Sequence, residues 1–309
     1  MISKTKHDYI ELSLVYLFAV ILIVLLSTVS LPKVNTLTGV IAPHKKDEPA
    51  VLFSPAAFAN ISIRGKAYVV YDIVNKNIIA SKNPQEVLPL ASLTKIMTGL
   101  TALSLAKDTT NIIIEPGSVD GGYDLGLAEG QRWKLSELLK YTLVFSSNDG
   151  AQAIADGLGG RDFFVAEMNN EAAKLGLATM TFTQPAGLDI KGQIGGKGSA
   201  LDVARMFGIA RKEFPEILDA TTKARATVLA SSGKISGIPN TNQEIGHFLG
   251  AEGSKTGFTE DAGGNLAIVV DPTVGHPVVI VVLGSTVADR FTDVDNLYKA
   301  LILSIDARE

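Results

Sequence analysis

Three kinds of apolar pattern succeed one another along the chain. Residues 12–31, LSLVYLFAVILIVLLSTVSL, carry no charge and are apolar on every helical face. At about 1.5 Å per residue they make a helix of roughly 30 Å, the thickness of a bilayer's hydrocarbon core. That length, and the distance to the nearest small-x-small site at Ala57-Phe58-Ala59, favour a membrane anchor over a cleaved signal segment. Residues 32–64 mix Pro32, Pro43, Pro49 and Pro55 with the charge cluster Lys45-Lys46-Asp47-Glu48, a composition that reads as a tether.

Beyond residue 64 the periods change. Residues 67–73 and 78–82 predict two strands joined by the turn Asn75-Lys76-Asn77. Helical spacing follows over 93–106, 135–144, 150–158, 162–175 and 200–211. The last of these has a capped start at Ser199, with Asp202 three residues on. Strand-length apolar runs return at 265–270 and 278–284 around the turn 271–275, and a final helix is expected over 286–305. Strands at both ends with helices between them imply an α+β domain over 65–309, its N-terminal hairpin joined to the C-terminal strands in one mostly antiparallel sheet. Ahead of it the expected segments are a short N-terminus (1–11), one transmembrane helix (12–31) and a linker (32–64).

Composition narrows the chemistry. With 28 basic against 32 acidic side chains, the net charge of -4 gives no field that would recruit nucleic acid. No cysteine is present, which excludes thiol catalysis, disulfides and cysteine-held zinc. The four histidines, His7, His44, His247 and His276, have no ligand-like spacing, so neither a metal nor a cofactor is expected.

Serine with lysine three residues later occurs five times, starting at Ser3, Ser30, Ser92, Ser104 and Ser231, so the spacing alone carries no information. Context separates Ser92. It opens a helix, where free N–H groups and the positive end of the dipole can meet a developing anion. The plain alternative is that Ser92 caps the helix and Lys95 is solvated. Ser146-Ser147-Asn148-Asp149, between two helical runs, is either a cap or a hydroxyl and a carboxamide held two residues apart. Lys255-Thr256-Gly257, found once, is either a glycine bulge or a cation at a strand edge.

Together, the three stretches form the set S-x-x-K, S-x-N and K-T-G of penicillin-recognising serine enzymes. From Ala67 to Ile305 the chain resembles the D-alanyl-D-alanine carboxypeptidases among the low-molecular-mass penicillin-binding proteins, the S11 serine peptidases. The resemblance extends through Ala186-Gly187-Leu188-Asp189, Ser199 to Ala204 and Asn240-Thr241-Asn242. It implies the fold shared by serine β-lactamases and penicillin-binding transpeptidases, with a helical subdomain. It also implies a reaction: Ser92 attacks the carbonyl between two D-alanines of a peptidoglycan stem peptide, releases the last one, and water clears the ester. β-Lactams would trap Ser92.

By the same resemblance Ser146 relays a proton, Asn148 holds a substrate amide, and Lys255 and Thr256 hold the terminal carboxylate. Gly257 lets the substrate lie along the strand edge, and the backbone N–H groups of Ser92 and Phe258 form the oxyanion hole. A serine must lose its proton as it attacks, and Lys95 is on the same helical face to take it. Serving as a base near neutral pH requires surroundings that hold off the lysine's own proton by roughly 4 kcal/mol, from burial and a second cation such as Lys255.

Two departures stand out. Ser147 replaces the family's usual glycine and is expected to crowd the turn or shift substrate preference. The chain also stops soon after its last helix, where many family members carry a second domain and an amphipathic helix, so the 12–31 anchor is expected to supply attachment. Peptidoglycan as substrate would place the N-terminus inside and the domain on the extracytoplasmic face of the cell membrane. Rival readings are an endopeptidase that cuts cross-links with the same groups, a class A β-lactamase, and an idle peptidoglycan-binding or β-lactam-sensing module. A class A enzyme needs a glutamate-activated water, and Glu171 does not fit the required signature.

Overall fold

The apolar runs from the two ends of the folded sequence lie side by side. The computed structural model describes residues 52–118 and 127–306. Its central sheet contains β1 (Ala67–Asp72), β2 (Asn77–Lys82), β3 (Ala251–Thr259), β4 (Gly263–Val270) and β5 (Val278–Ser285). Their spatial order is β3-β4-β5-β1-β2, antiparallel throughout, so the expected union of the first hairpin with the last strands holds.

The runs in β4 and β5 are continuous rather than alternating because both faces of the sheet are covered. Val69, Ala267, Val269, Val279 and Val281 face one core, shared with the helices α1 (Thr94–Leu105), α2 (Leu135–Val144), α3 (Asn148–Gly157), α4 (Arg161–Lys174) and α5 (Ala200–Glu213). Val70, Ile268, Val270, Ile280 and Val282 face the other, closed by Val294, Leu297 and Leu301 of α6 (Asp289–Ser304). Helix α1 is buried over its first nine residues, which makes it the axle of the helical layer.

Several boundaries differ from the sequence expectation for local reasons. The helix expected from residue 286 starts at Asp289, after a turn in which the Thr286 hydroxyl accepts from the Asp289 N–H at 2.9 Å and donates to the Asp289 carboxylate at 2.8 Å. Its end gives way to Ile305–Asp306, which pairs with Leu52–Phe53. Residues 52–64 therefore belong to the folded unit rather than to a tether. Phe58 is buried under α6, the Ser54 N–H donates to Ser304 O at 2.8 Å, and Asp293 accepts from the Arg64 and Gly65 N–H groups at 3.0 and 2.9 Å. The small-x-small site at Ala57-Phe58-Ala59 is thus part of the fold. The expected span at 12–31, and the tether as far as residue 51, lie outside the described residues. Among the described residues no helix is long and apolar enough to cross a membrane.

Two small sheets complete the frame. Asn111–Ile113, Arg132–Lys134, Arg225–Ala230 and Gly233–Pro239 form one beside the helices. Leu88–Pro89, Gly196–Gly198 and Thr181–Phe182 form the other, which tethers the chain just before Ser92: the Leu90 N–H donates to Gly196 O at 2.8 Å.

Candidate active site

The edge strand β3 runs beside the turn that precedes α1. Residues Ala91–Leu93 form a single 3-10 turn that leads into α1. Ala91 holds φ at 48°, a left-handed conformation that costs an alanine energy and persists only where the surroundings impose it. Asn265 is one such surrounding. Fully buried opposite Gly257 in the β3–β4 ladder, it donates to Pro89 O at 3.0 Å and Leu90 O at 3.1 Å. Gly257 is required by the same approach: a Cβ there would lie 2.8 Å from Leu90 O and 3.2 Å from Ser92 N.

Ser92 is half-buried at the mouth of this cleft, and Lys95 is fully buried behind it. The Lys95 Nζ lies 2.8 Å from Ser92 Oγ, 2.8 Å from Asn148 Oδ1 and 2.9 Å from Ala186 O. These partners fit both protonation states. A neutral amine has two N–H bonds, which the two carbonyl oxygens accept, and one lone pair, which faces the Ser92 hydroxyl. A charged amine donates to all three. A proton can pass from Ser92 to Lys95 without any heavy atom moving.

Asn148 and Ala186 reach Lys95 from separate segments. Asn148 begins α3, preceded by Ser146, half-buried with φ at 63°. With its carbonyl committed to Lys95, Asn148 has its N–H2 group left to offer. Ala186 is held under α1 by Thr98, which donates to Pro185 O, and by Gly187, whose φ of +77° and contact with Ala91 O leave no room for a side chain.

Ser147 does not crowd the turn as the sequence reading expected. Its hydroxyl accepts from the Gly150 N–H at 2.7 Å and caps α3, while Gly150 leaves space for it. Ser147→Ala is expected to lower unfolding free energy by about 1 kcal/mol in urea titrations.

Lys255, also buried, donates to Thr256 O at 3.0 Å. Burial, then the charge of Lys95, then that of Arg290 hold it well below the ordinary lysine range. The Thr256 hydroxyl lies 2.7 Å from that of Thr241, whose N–H donates to Val144 O just ahead of Ser146. Thr241 thereby braces the two walls of the cleft.

Arg290, Asn265 and Thr241 are the site-forming residues that no sequence signal singled out for a role. Arg290 donates from Nη1 to Gly257 O at 2.8 Å and stacks on Phe291, and burial lowers its pKa. Its one legible clue is a cation in the first turn of a helix, against the dipole. Glu171 bonds to Lys174 and lines a cavity with Ser104 and Lys107 at the far end of α1, roughly 15 Å of helix from Lys95. It cannot activate water at Ser92.

A buried amine on a serine, a second buried amine near it and a glycine-opened strand edge form one constellation. The profile of the D-alanyl-D-alanine carboxypeptidase family, peptidase family S11, matches residues 54–287. The chain belongs to this family. It is 32% identical over 268 residues to D-alanyl-D-alanine carboxypeptidase DacC of Escherichia coli K12, covering 80% of this chain and 64% of that one. Identity to DacF of Bacillus subtilis 168 is 30% over 226 residues, 68% of this chain and 57% of the relative. The chain thus spans about three fifths of the length of these two carboxypeptidases. A D-alanyl-D-alanine endopeptidase of Pseudomonas aeruginosa PAO1 is 28% identical over 76% of this chain and 77% of its own. Among solved structures, penicillin-binding protein D2 of Listeria monocytogenes in its ampicillin-bound form superposes with a TM-score of 0.68 at 29% identity, covering 78% of this chain and 98% of that one. The α+β architecture is therefore that of the penicillin-binding DD-peptidases.

Proposed function

We propose that the chain is a serine D-Ala-D-Ala carboxypeptidase that trims peptidoglycan stem peptides and is acylated by β-lactams. The observation that carries this reading is the buried Lys95 amine 2.8 Å from Ser92 Oγ, with two carbonyl oxygens to hold its N–H bonds. Ser92 Oγ attacks the carbonyl carbon of the penultimate D-alanine as its proton moves to Lys95. The N–H groups of Ser92 and Phe258 stabilise the oxyanion. Ser146 passes the proton to the leaving nitrogen, the C–N bond breaks, and terminal D-alanine departs. Water then attacks the ester, restores the Ser92 hydroxyl and releases the shortened peptide. Asn148 holds the substrate amide, Lys255 and Thr256 hold its terminal carboxylate, and the backbone lies along Gly257 as an added strand.

Peptidoglycan as the substrate, together with the membrane-anchor reading of 12–31, puts this chemistry on the extracytoplasmic face in this proposal. A second reading, cleavage of cross-links as an endopeptidase, is favoured by the likeness to the Pseudomonas endopeptidase over more than three quarters of that protein. Incubation with a stem pentapeptide and with a cross-linked dimer decides the matter. Free D-alanine from the pentapeptide is expected, and cleavage of the dimer alone would assign the endopeptidase reaction instead.

Lys255 gives the carboxylate step a pH dependence. A bound carboxylate favours the charged amine, whereas the empty site disfavours it. Above the depressed pKa, binding must take up a proton, so affinity falls up to tenfold per pH unit. Inhibition constants of a D-Ala-D-Ala peptide are expected to show that slope, and those of its C-terminal amide to lack it.

A further inference from the structure

Among the described residues, four of the five most exposed large apolar side chains lie at one end of the sheet. They are Val274 (103% exposed), Leu303 (80%), Leu249 (78%) and Val74 (52%). Hydrogen bonds tie their segments together. The turn carrying Val74 meets that carrying Val274 where the Ile73 N–H donates to Pro277 O and His276 pairs with Asp72. Leu249 joins them through the Asp271 N–H to Gly250 O, and Leu303 through Ser304 O, which accepts from Ser54. The Phe53 ring stacks 5.4 Å from His276, so the chain enters the fold at this same end.

The two aspartates of these turns are spent inwardly. Asp72 accepts from the Val74 and Asn75 N–H groups, and Asp271 from those of Gly275 and His276. What faces outward is then the four aliphatic side chains, with Lys76 and Asn77 exposed beside Val74, on separate turns and a helix end rather than in a groove that a peptide could fill.

We propose that this end of the sheet, bearing Val74, Leu249, Val274 and Leu303, rests on the lipid bilayer that holds residues 12–31. The inference builds on the anchor reading above. The 20 residues from 32 to 51 connect that span to Leu52, and whatever their conformation they keep the domain within about 70 Å of the surface. Confinement of this kind makes a weak apolar contact sufficient, since a tethered encounter proceeds at high effective concentration. The active-site cleft then stands at the opposite end of α6: from Arg290, which touches Gly257, to Ser304 the helix climbs about 20 Å.

Tryptophan placed at the tips reports contact with lipid directly, because the single native tryptophan, Trp133, is buried and gives a constant background. The full chain carrying Val274→Trp or Leu249→Trp is reconstituted in vesicles of phosphatidylcholine brominated on the acyl chains, beside Leu229→Trp, the remaining member of the five. At least twofold quenching at 274 and 249, with none at 229, is expected. Equal quenching at all three, in a chain that still floats with the vesicles, overturns the docking and leaves the anchor standing. A blue shift without quenching means that protein covers the tips, and overturns it too. A chain that fails to float overturns both.

Discussion

Lys95→Met is expected to slow acylation of Ser92 by on the order of 10³- to 10⁴-fold, the upper part of the range for a lost general base. Methionine fills the buried volume of the lysine but cannot accept a proton. The variant leaves Asn148 Oδ1 and Ala186 O without their donor, at a cost of about 1–3 kcal/mol each, so it should fold with a lowered melting temperature. Lys95→Arg separates the base from the charge. A guanidinium stays protonated and supplies the same positive field. Stopped-flow measurement of fluorescent penicillin binding should find it as slow as the methionine variant. Recovery of the rate in Lys95→Arg would assign Lys95 an electrostatic role only.

The second large effect is expected at Gly257, where no side chain touches substrate in the proposed reaction. Gly257→Val would drive a branched Cβ into Leu90 O at 2.8 Å and toward Ser92 N at 3.2 Å, both backbone atoms that cannot turn aside. Either β3 retreats or the turn before Ser92 opens, and one N–H of the oxyanion hole leaves its place. Loss of one such donor costs about 10²- to 10³-fold. The acylation rate should fall by that factor while the far-UV spectrum is unchanged. A rate within fivefold of wild type would mean that the strand edge is not part of the reacting geometry.

How far the sequence revealed this molecule depends on which residues carry the signal. Strands β4 and β5 were plain as apolar runs, and α2 at its full extent, because all but one position of each strand and seven of the helix's ten are buried. The hairpin Arg225–Ala230 and Gly233–Pro239 was not, although Ala226, Val228 and Ala230 do alternate inward. Alanines make that period weak, and half its residues face water. Residues 52–64 read as a tether because they show no periodic face of their own and follow the prolines and charges of 32–51. Their attachment comes from single contacts, Phe58 under α6 and Asp293 on two N–H groups, that no local pattern encodes.

The candidate site divides the same way. Ser92, Lys95, Asn148 and Lys255 were legible because three short stretches, taken together and in order, carry the family resemblance, although the spacing of any one of them carries no information. Asn265 was not, and Thr241 stood only within a stretch of the resemblance with no role attached, since each acts by joining segments far apart in sequence: Asn265 binds a turn 175 residues away, and Thr241 spans two walls. Ser147 was legible as a departure, and the capping read for its stretch is found, whereas the crowding expected of the turn is not. Its effect rests on the Gly150 N–H, three residues on, rather than on the space above the turn.

The proposed reaction requires Ser92 Oγ to be the acylated atom. The full chain is treated with benzylpenicillin, digested, and its peptides weighed by mass spectrometry, beside Ser92→Ala. One penicillin adduct per chain, confined to the peptide that holds Ser92 and absent from the variant, is the result expected. An adduct that persists in Ser92→Ala, or lies on Ser146, would contradict it.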